Sequence, residues 1–172
     1  MKKRILTCLM AVSLLVSLLA VPVGAASVTK FSDVSDSYTA TAIETLRLMG
    51  VLDGYGDGTF RPDTVLNRAQ FCKMAVYAMD GSGELGRYST VTIFPDVKPS
   101  LWAASYINMA AKKGVIAGFA DGKFKPNQTV TAGQAVTILM RGLGYKDEDM
   151  GGVWPQSYMA EAQTNGLLKS TG

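Results

Sequence analysis

Histidine is missing altogether from the 172 residues, and that gap removes more chemistry than any other feature of the composition. Without an imidazole there can be no Ser-His-Asp or Cys-His hydrolase and no His-bearing zinc site. Cysteine is almost as scarce, Cys8 and Cys72 being the only two. Paired-carboxylate chemistry survives both gaps, so composition alone leaves glycoside cleavage open. Net charge is low as well, with 17 basic residues against 14 acidic ones. Lys2, Lys3 and Arg4 supply part of that excess, and no acidic residue precedes Asp33. Beyond this first segment the charges balance at 14 each. A neutral remainder offers no footprint for nucleic acid or an anionic membrane surface.

Long apolar runs are confined to the start. Residues 1–25 show a charged opening, an apolar stretch from Ile5 to Val23 and a small-residue end at Val23-Gly24-Ala25. This is the layout of a secretory signal peptide, with cleavage expected after Ala25 or Ala26. A retained membrane helix is the alternative, since Ile5–Val23 is long enough to span a bilayer. Pro22, the small residues after it and the lack of a basic stop-transfer cluster favour removal. Cys8 lies too early in the run to be a lipoprotein anchor. Cleavage would leave Cys72 as the lone thiol, read as a small buried hydrophobe and not a reactive group. The expected product is exported and soluble, with no stable membrane insertion.

The rest of the chain repeats itself. A shift of 64 aligns residues 50–70 with 114–134, eight of 21 positions being identical, where chance gives about one or two. The shared core is Gly50-Val51-Leu52-Asp53-Gly54-Tyr55-Gly56-Asp57-Gly58-Thr59-Phe60-Arg61-Pro62 against Gly114-Val115-Ile116-Ala117-Gly118-Phe119-Ala120-Asp121-Gly122-Lys123-Phe124-Lys125-Pro126. Upstream, Phe31-Ser32-Asp33-Val34 matches Phe94-Pro95-Asp96-Val97. A third copy starts near Trp154, where Trp154, Tyr158, Ala162 and Gly166 repeat Trp102, Tyr106, Ala110 and Gly114 at a shift of 52. The expected organisation is a signal peptide at 1–25, repeats at 31–80 and 94–144, a linker at 81–93 and a partial third repeat at 145–172 that ends before its second helix.

Each repeat reads as helix–loop–helix, in an all-α fold. Tyr38, Ile43, Leu46 and Met49 mark one apolar face, and Trp102, Tyr106, Met109 and Ala110 its counterpart, with Ser100 as the expected N-cap. Gly50 and Gly114 suit helix C-termini. Phe60 and Phe124 plug the Gly-rich loops, and Pro62 and Pro126 delay the next helix. Asn67-Arg68-Ala69-Gln70 and Thr131-Ala132-Gly133-Gln134 have the form of capping boxes, with Asn67, Gln70, Thr131 and Gln134 as the reciprocal structural caps. Behind them, Phe71, Met74, Ala75 and Ala78 form one stripe, and Ala135, Ile138, Leu139 and Leu143 another. The linker reads as polar and irregular, with a short extended piece near Val91 to Phe94.

The loops superficially resemble calcium loops, but Tyr55 and Thr64 stand where oxygen ligands are needed and Ala117 replaces Asp53. Asp57 and Asp121 are better spent on their own turn backbone. No metal and no cofactor is therefore expected, and the loops lack the Gly-Lys-Ser/Thr ending of a nucleotide cradle. The acidic cluster Asp147-Glu148-Asp149 reads as solvated surface. Arg68 has no capping duty; it should point outward beside free helix N–H groups, as an anion-binding corner or simply as a surface arginine.

The succession Phe-x-Asp-Val, aromatic-bearing helix, Gly-Val-Leu/Ile-x-Gly-Tyr/Phe-x-Asp-Gly-x-Phe-x-Pro and Thr-Arg-Ala-Glu-like box resembles the S-layer homology (SLH) family. The resemblance covers essentially everything after the leader. It implies a pseudo-threefold helical bundle that binds secondary cell-wall polysaccharide, often pyruvylated, and holds secreted proteins on Gram-positive-type surfaces without catalysis. It places the family arginine on Arg68, the Phe-x-Asp-Val aspartates on Asp33 and Asp96, and the groove aromatics on Tyr38 and Trp102. For the aspartates helix capping is the competing duty, and for the aromatics core packing. Ala132 stands where the second arginine should be, so the second repeat is expected to fold but bind weakly. Two further readings are the N-terminal anchor of a longer secreted enzyme or S-layer subunit, and a dockerin-like protein-binding module.

Overall fold

A computed structural model describes residues 31–79 and 82–168. The leader read at 1–25 lies outside the described residues. Among those described there are five α-helices: α1 (Ser37–Leu48), α2 (Arg68–Ala78), α3 (Ala104–Lys112), α4 (Ala132–Gly142) and α5 (Gln156–Thr164). Two 3₁₀ segments, Ser82–Tyr88 and Asp147–Asp149, complete the regular structure. No strand forms among the described residues, and none of the helices is long and apolar enough to cross a membrane. The all-α expectation holds.

The first helix of every copy ends in the same way. Gly50, Gly114 and Gly166 all take φ near +72°. In each case the glycine N–H bonds a carbonyl three residues back and the next N–H reaches five back, as in Val51 to Leu46, Val115 to Ala110 and Leu167 to Ala162. This is the Schellman closure, and it turns the chain into the loop without orphaning the last carbonyls. The helix starts are less uniform. Asp36 caps α1 by accepting from the Thr39 N–H at 2.6 Å, whereas α3 starts with no side-chain cap. Ser100 lies in the turn before it, so the N-cap expected there is not used.

Arg61 and Lys125 sit at φ 60° and 59°, a left-handed conformation that costs a side-chain-bearing residue energy. A carboxylate offsets that cost each time. Asp33 accepts from the N–H of Phe60 at 2.8 Å and of Arg61 at 2.6 Å. Asp96 accepts from Phe124 at 3.0 Å and Lys125 at 2.7 Å. Both aspartates therefore clamp the loop of their own repeat and do not cap its first helix. The ring of Phe94 closes the same loop: a Cβ on Gly118 would lie 2.7 Å from it.

Among the described residues, three apolar clusters form the interior. The largest joins α2 and α3 through Cys72, Ala75, Val76, Ile107 and Met109. A smaller one surrounds Phe31, Ala40 and Ile43 near α1, and another links α4 to α5 through Val136, Met140, Tyr158 and Ala162. Burial pushes the Cys72 thiol up to about 12, consistent with an inert core residue. The helix faces are rotated from those expected. Met49, Leu139 and Leu143 are exposed, while Cys72, Val76, Val136 and Met140 face inward. The linker is also more ordered than its polarity suggests. Its 3₁₀ turn packs Leu85 and Tyr88 onto the main cluster. The buried amide of Asn108 donates to the Val91 carbonyl and accepts from the Ile93 N–H, standing in for a strand partner.

Candidate functional site

Arg68 is the first residue of α2, and its surroundings come from the next repeat. The two capping boxes form: Asn67 and Gln70 exchange bonds of 2.9 Å, and Thr131 and Gln134 longer ones of 3.3–3.4 Å. The N–H groups of Arg68 and Ala69 donate to the carbonyls of Gln128 and Pro126 at 2.9 and 3.0 Å. An antiparallel bridge between Asn67 and Thr129 fixes that register. The free helix N–H groups expected beside Arg68 are thus already taken.

The guanidinium is not outward-facing either. Arg68 is 4% exposed. Its Nε donates to the Phe124 carbonyl at 2.8 Å, Nη1 to Gln134 Oε1 at 3.1 Å and Nη2 to the Ala117 carbonyl at 3.2 Å. The rings of Phe124 and Phe119 lie 4.4 and 4.7 Å from its central carbon. Burial pulls its pKa below the ordinary arginine value. The expectation of an outward arginine is overturned because the loop of repeat two folds over the start of α2 and supplies better partners than water. A guanidinium has five N–H donors, so one remains on each terminal nitrogen.

Arg68 borders a groove of about 430 Å³ between α4 and α5. Arg68, Phe119, Thr137, Arg141, Trp154 and Tyr158 wall it, with Asp147 among the lining residues. Trp154 is 52% exposed, and its indole N–H donates to Thr137 Oγ1 at 3.0 Å. Arg141 grips Asp147 with two bonds of 2.8 and 2.7 Å, and the Tyr158 hydroxyl donates to the same carboxylate. The Tyr158 hydroxyl and Arg141 hold Asp147 below the usual carboxylate range. The groove therefore contains two guanidiniums and one carboxylate beside half-exposed aromatic surface. Such an arrangement suits an anionic ligand with an apolar face.

Of the five residues read as binding groups, only Arg68 lines this groove. Asp33 and Asp96 are committed to their loops. The Phe60 N–H, with that of Arg61, holds Asp33 below its ordinary pKa, while at Asp96 burial opposes and the Phe124 and Lys125 N–H groups prevail. Tyr38 is 71% exposed on the first turn of α1, and Trp102 is 57% exposed against Tyr106, with ring centroids 6.4 Å apart. Neither packs in the core. Trp154, Arg141, Asp147 and Tyr158 were not singled out as site residues. Trp154 was legible as the third-copy counterpart of Trp102; Arg141 and Asp147 carried no repeat signal. Ala132 is exposed at the start of α4. Asp57 and Asp121 bond the Thr59 and Lys123 N–H groups of their own turns.

Comparison with known proteins agrees with this architecture. The S-layer homology domain model matches residues 30–72 and 93–136. A cell surface protein of Thermoanaerobacter kivui is 38% identical over 152 residues, covering 87% of this chain and 19% of that protein. A surface layer protein of Brevibacillus choshinensis is 32% identical over 163 residues, covering 91% of this chain and 14% of that protein. A cellulosome-anchoring protein of Acetivibrio thermocellus is 31% identical over 115 residues, covering 66% and 26%. This chain spans about a quarter or less of each relative's length. Two repeats matched by the family model, together with relatives 32 and 38% identical over 91 and 87% of the chain, make the chain a member of the S-layer homology domain family.

Proposed function

We propose that this chain is a secreted, non-catalytic module that anchors to the bacterial cell wall by binding secondary cell-wall polysaccharide without a covalent bond. The groove between α4 and α5 takes a pyruvylated sugar of that polymer. The observation that carries this reading is the convergence of Arg68, with one free donor on each terminal nitrogen, Arg141 and the half-exposed Trp154 ring on one concavity. A pyruvyl ketal carries a carboxylate for the guanidinium, and the adjoining sugar C–H face suits the indole. Asp33, Asp96 and Tyr38 act indirectly or peripherally in this scheme, Asp96 by shaping the loop of repeat two that receives Arg68 and Asp33 by shaping the loop of repeat one. The surface-layer and anchoring roles in the names of the relatives support the same reading.

Sedimentation of the protein with purified cell walls tests it, before and after chemical removal of pyruvyl groups. Pelleting should be lost with the pyruvyl groups, and Trp154→Ala should weaken it while leaving the melting temperature nearly unchanged. Equal pelleting with stripped walls would refute the acidic-sugar assignment. The small share of each relative that the chain covers favours one further reading, an anchor for a longer secreted enzyme or S-layer subunit. Sequencing the coding DNA past Gly172 tests that.

A further inference from the structure

Among the described residues Cys72 is the only cysteine, and it is buried, so no disulfide within them can tie one repeat to the next. Two tyrosines meet across that boundary instead. Tyr77 lies in the last turn of α2, in repeat one, and Tyr106 in the first turn of α3, in repeat two. Their ring centroids are 5.8 Å apart, with the planes inclined at 35°. Their hydroxyl oxygens are 3.4 Å apart, one group donating to the other. Because the hydroxyls are closer than the ring centres, the rings lean together at their phenol ends. That lean converges the Cε atoms, the ring carbons flanking each C–O bond. The second junction lacks the pair: a shift of 64 sets Tyr77 against Arg141, and a shift of 52 sets Tyr106 against Tyr158. Both tyrosines of the first junction keep part of their surface exposed.

A phenol that gives up one electron and its hydroxyl proton becomes a phenoxyl radical, with spin on the oxygen and on the two Cε carbons. Two such radicals in contact combine. One Cε–Cε bond forms, and the ring hydrogens at those two carbons move to the oxygens and restore both phenols. In balance, the pair loses two electrons to a one-electron oxidant acting twice, and two protons to water. Held contact replaces diffusive encounter, which is where an intramolecular reaction gains its rate. We propose that Tyr77 and Tyr106 form an oxidative coupling site, at which a one-electron oxidant joins them as dityrosine and so staples α2 of repeat one to α3 of repeat two. The site is separate from the α4–α5 groove and does not depend on what that groove binds.

The test illuminates the dilute secreted protein with tris(bipyridyl)ruthenium(II) and persulfate, whose reduction to sulfate takes up the electrons. Dityrosine fluorescence should appear in material that still runs as a single chain on a denaturing gel. Peptide mapping should recover Tyr77 and Tyr106 in one cross-linked pair, lighter by the lost hydrogens. Tyr77→Phe and Tyr106→Phe should each cut the single-chain dityrosine by about tenfold or more, and so should urea, which separates the helices. Tyr38→Phe, at the exposed ring on α1, should leave the yield unchanged. The new bond joins residues 29 apart and so restricts the unfolded chain. The cross-linked chain should therefore unfold at a higher urea concentration than the untreated one. Fluorescence confined to linked dimers, equal yields from folded and unfolded chain, or a yield that depends on Tyr38 and not on Tyr77 overturns the proposal. A cross-linked single chain whose urea midpoint has not risen overturns the staple.

Discussion

Arg68 combines two duties that a surface arginine would keep apart. Its guanidinium joins α2 to the Phe124 and Ala117 carbonyls and to Gln134, and the same group borders the groove. Truncation would leave those acceptors without their donor, and each charge-assisted bond is worth more than an ordinary one. Arg68→Ala should therefore lower unfolding free energy by roughly 2–4 kcal/mol as well as weaken wall binding. Urea melts beside binding isotherms check this; an unchanged midpoint would mean the bracket contributes nothing. The aspartates make a second residue-scale prediction. Asp33, Asp96, Asp57 and Asp121 all have pKa values below the ordinary 3.8, Asp57 lowered to about 2 by Thr59 and Arg61. A depressed folded-state value means the stabilisation is complete above the unfolded value and is lost as pH falls through the folded one. The urea midpoint should stay nearly level between about pH 5 and 7 and fall below about pH 4. Asp96→Asn should flatten that acid limb, which denaturation at stepped pH would reveal.

At the scale of single elements, the rotated faces of α2 and α4 are the main departure from periodicity. Sequence spacing put Ile138, Leu139 and Leu143 on one stripe, but Ile138 is buried, Leu139 is 46% exposed and Leu143 is more exposed still. The inward face is set by what α4 packs against, namely α2 on one side and Tyr158 and Ala162 of α5 on the other. Ile138→Ala should cost about 2–4 kcal/mol by emptying core volume. Leu139→Gln should cost no more than about 0.5 kcal/mol. Chemical denaturation of both variants decides the rotation, and a reversed ranking would place α4 wrongly. The capping boxes and Schellman closures, by contrast, were readable directly, because each depends on residues three to five apart.

At the scale of the whole molecule, the repeats are not independent beads. The first turn of α2 has its N–H groups satisfied by Pro126 and Gln128, and its arginine seated among Phe119, Phe124 and Gln134. Repeat proteins draw stability from such neighbour interfaces. A fragment of residues 26–92 should therefore show much less helix than α1 and α2 supply in the intact chain, and it should melt without a sharp transition. Far-UV circular dichroism of the fragment measures this. Full helix content with cooperative melting would show that repeat one carries its own stability.

What the sequence by itself determined was local and periodic: the repeat, the helix–loop–helix order, the glycine closures at Gly50, Gly114 and Gly166, and the reciprocal caps. All of these rest on near neighbours and on the recurrence of short patterns. Tertiary structure alone decided where Arg68 points, since its three acceptors lie 49 to 66 residues away. It also decided that Asp33 and Asp96 serve loops 27 to 29 residues distant, and that Arg141, Asp147 and Trp154 meet Arg68 around one groove. A side chain at a helix start can turn to water or to a neighbouring loop with equal local geometry. Here the loop of repeat two supplies carbonyls and aromatic rings at the start of α2, and burial with three hydrogen bonds to fixed acceptors wins over solvation.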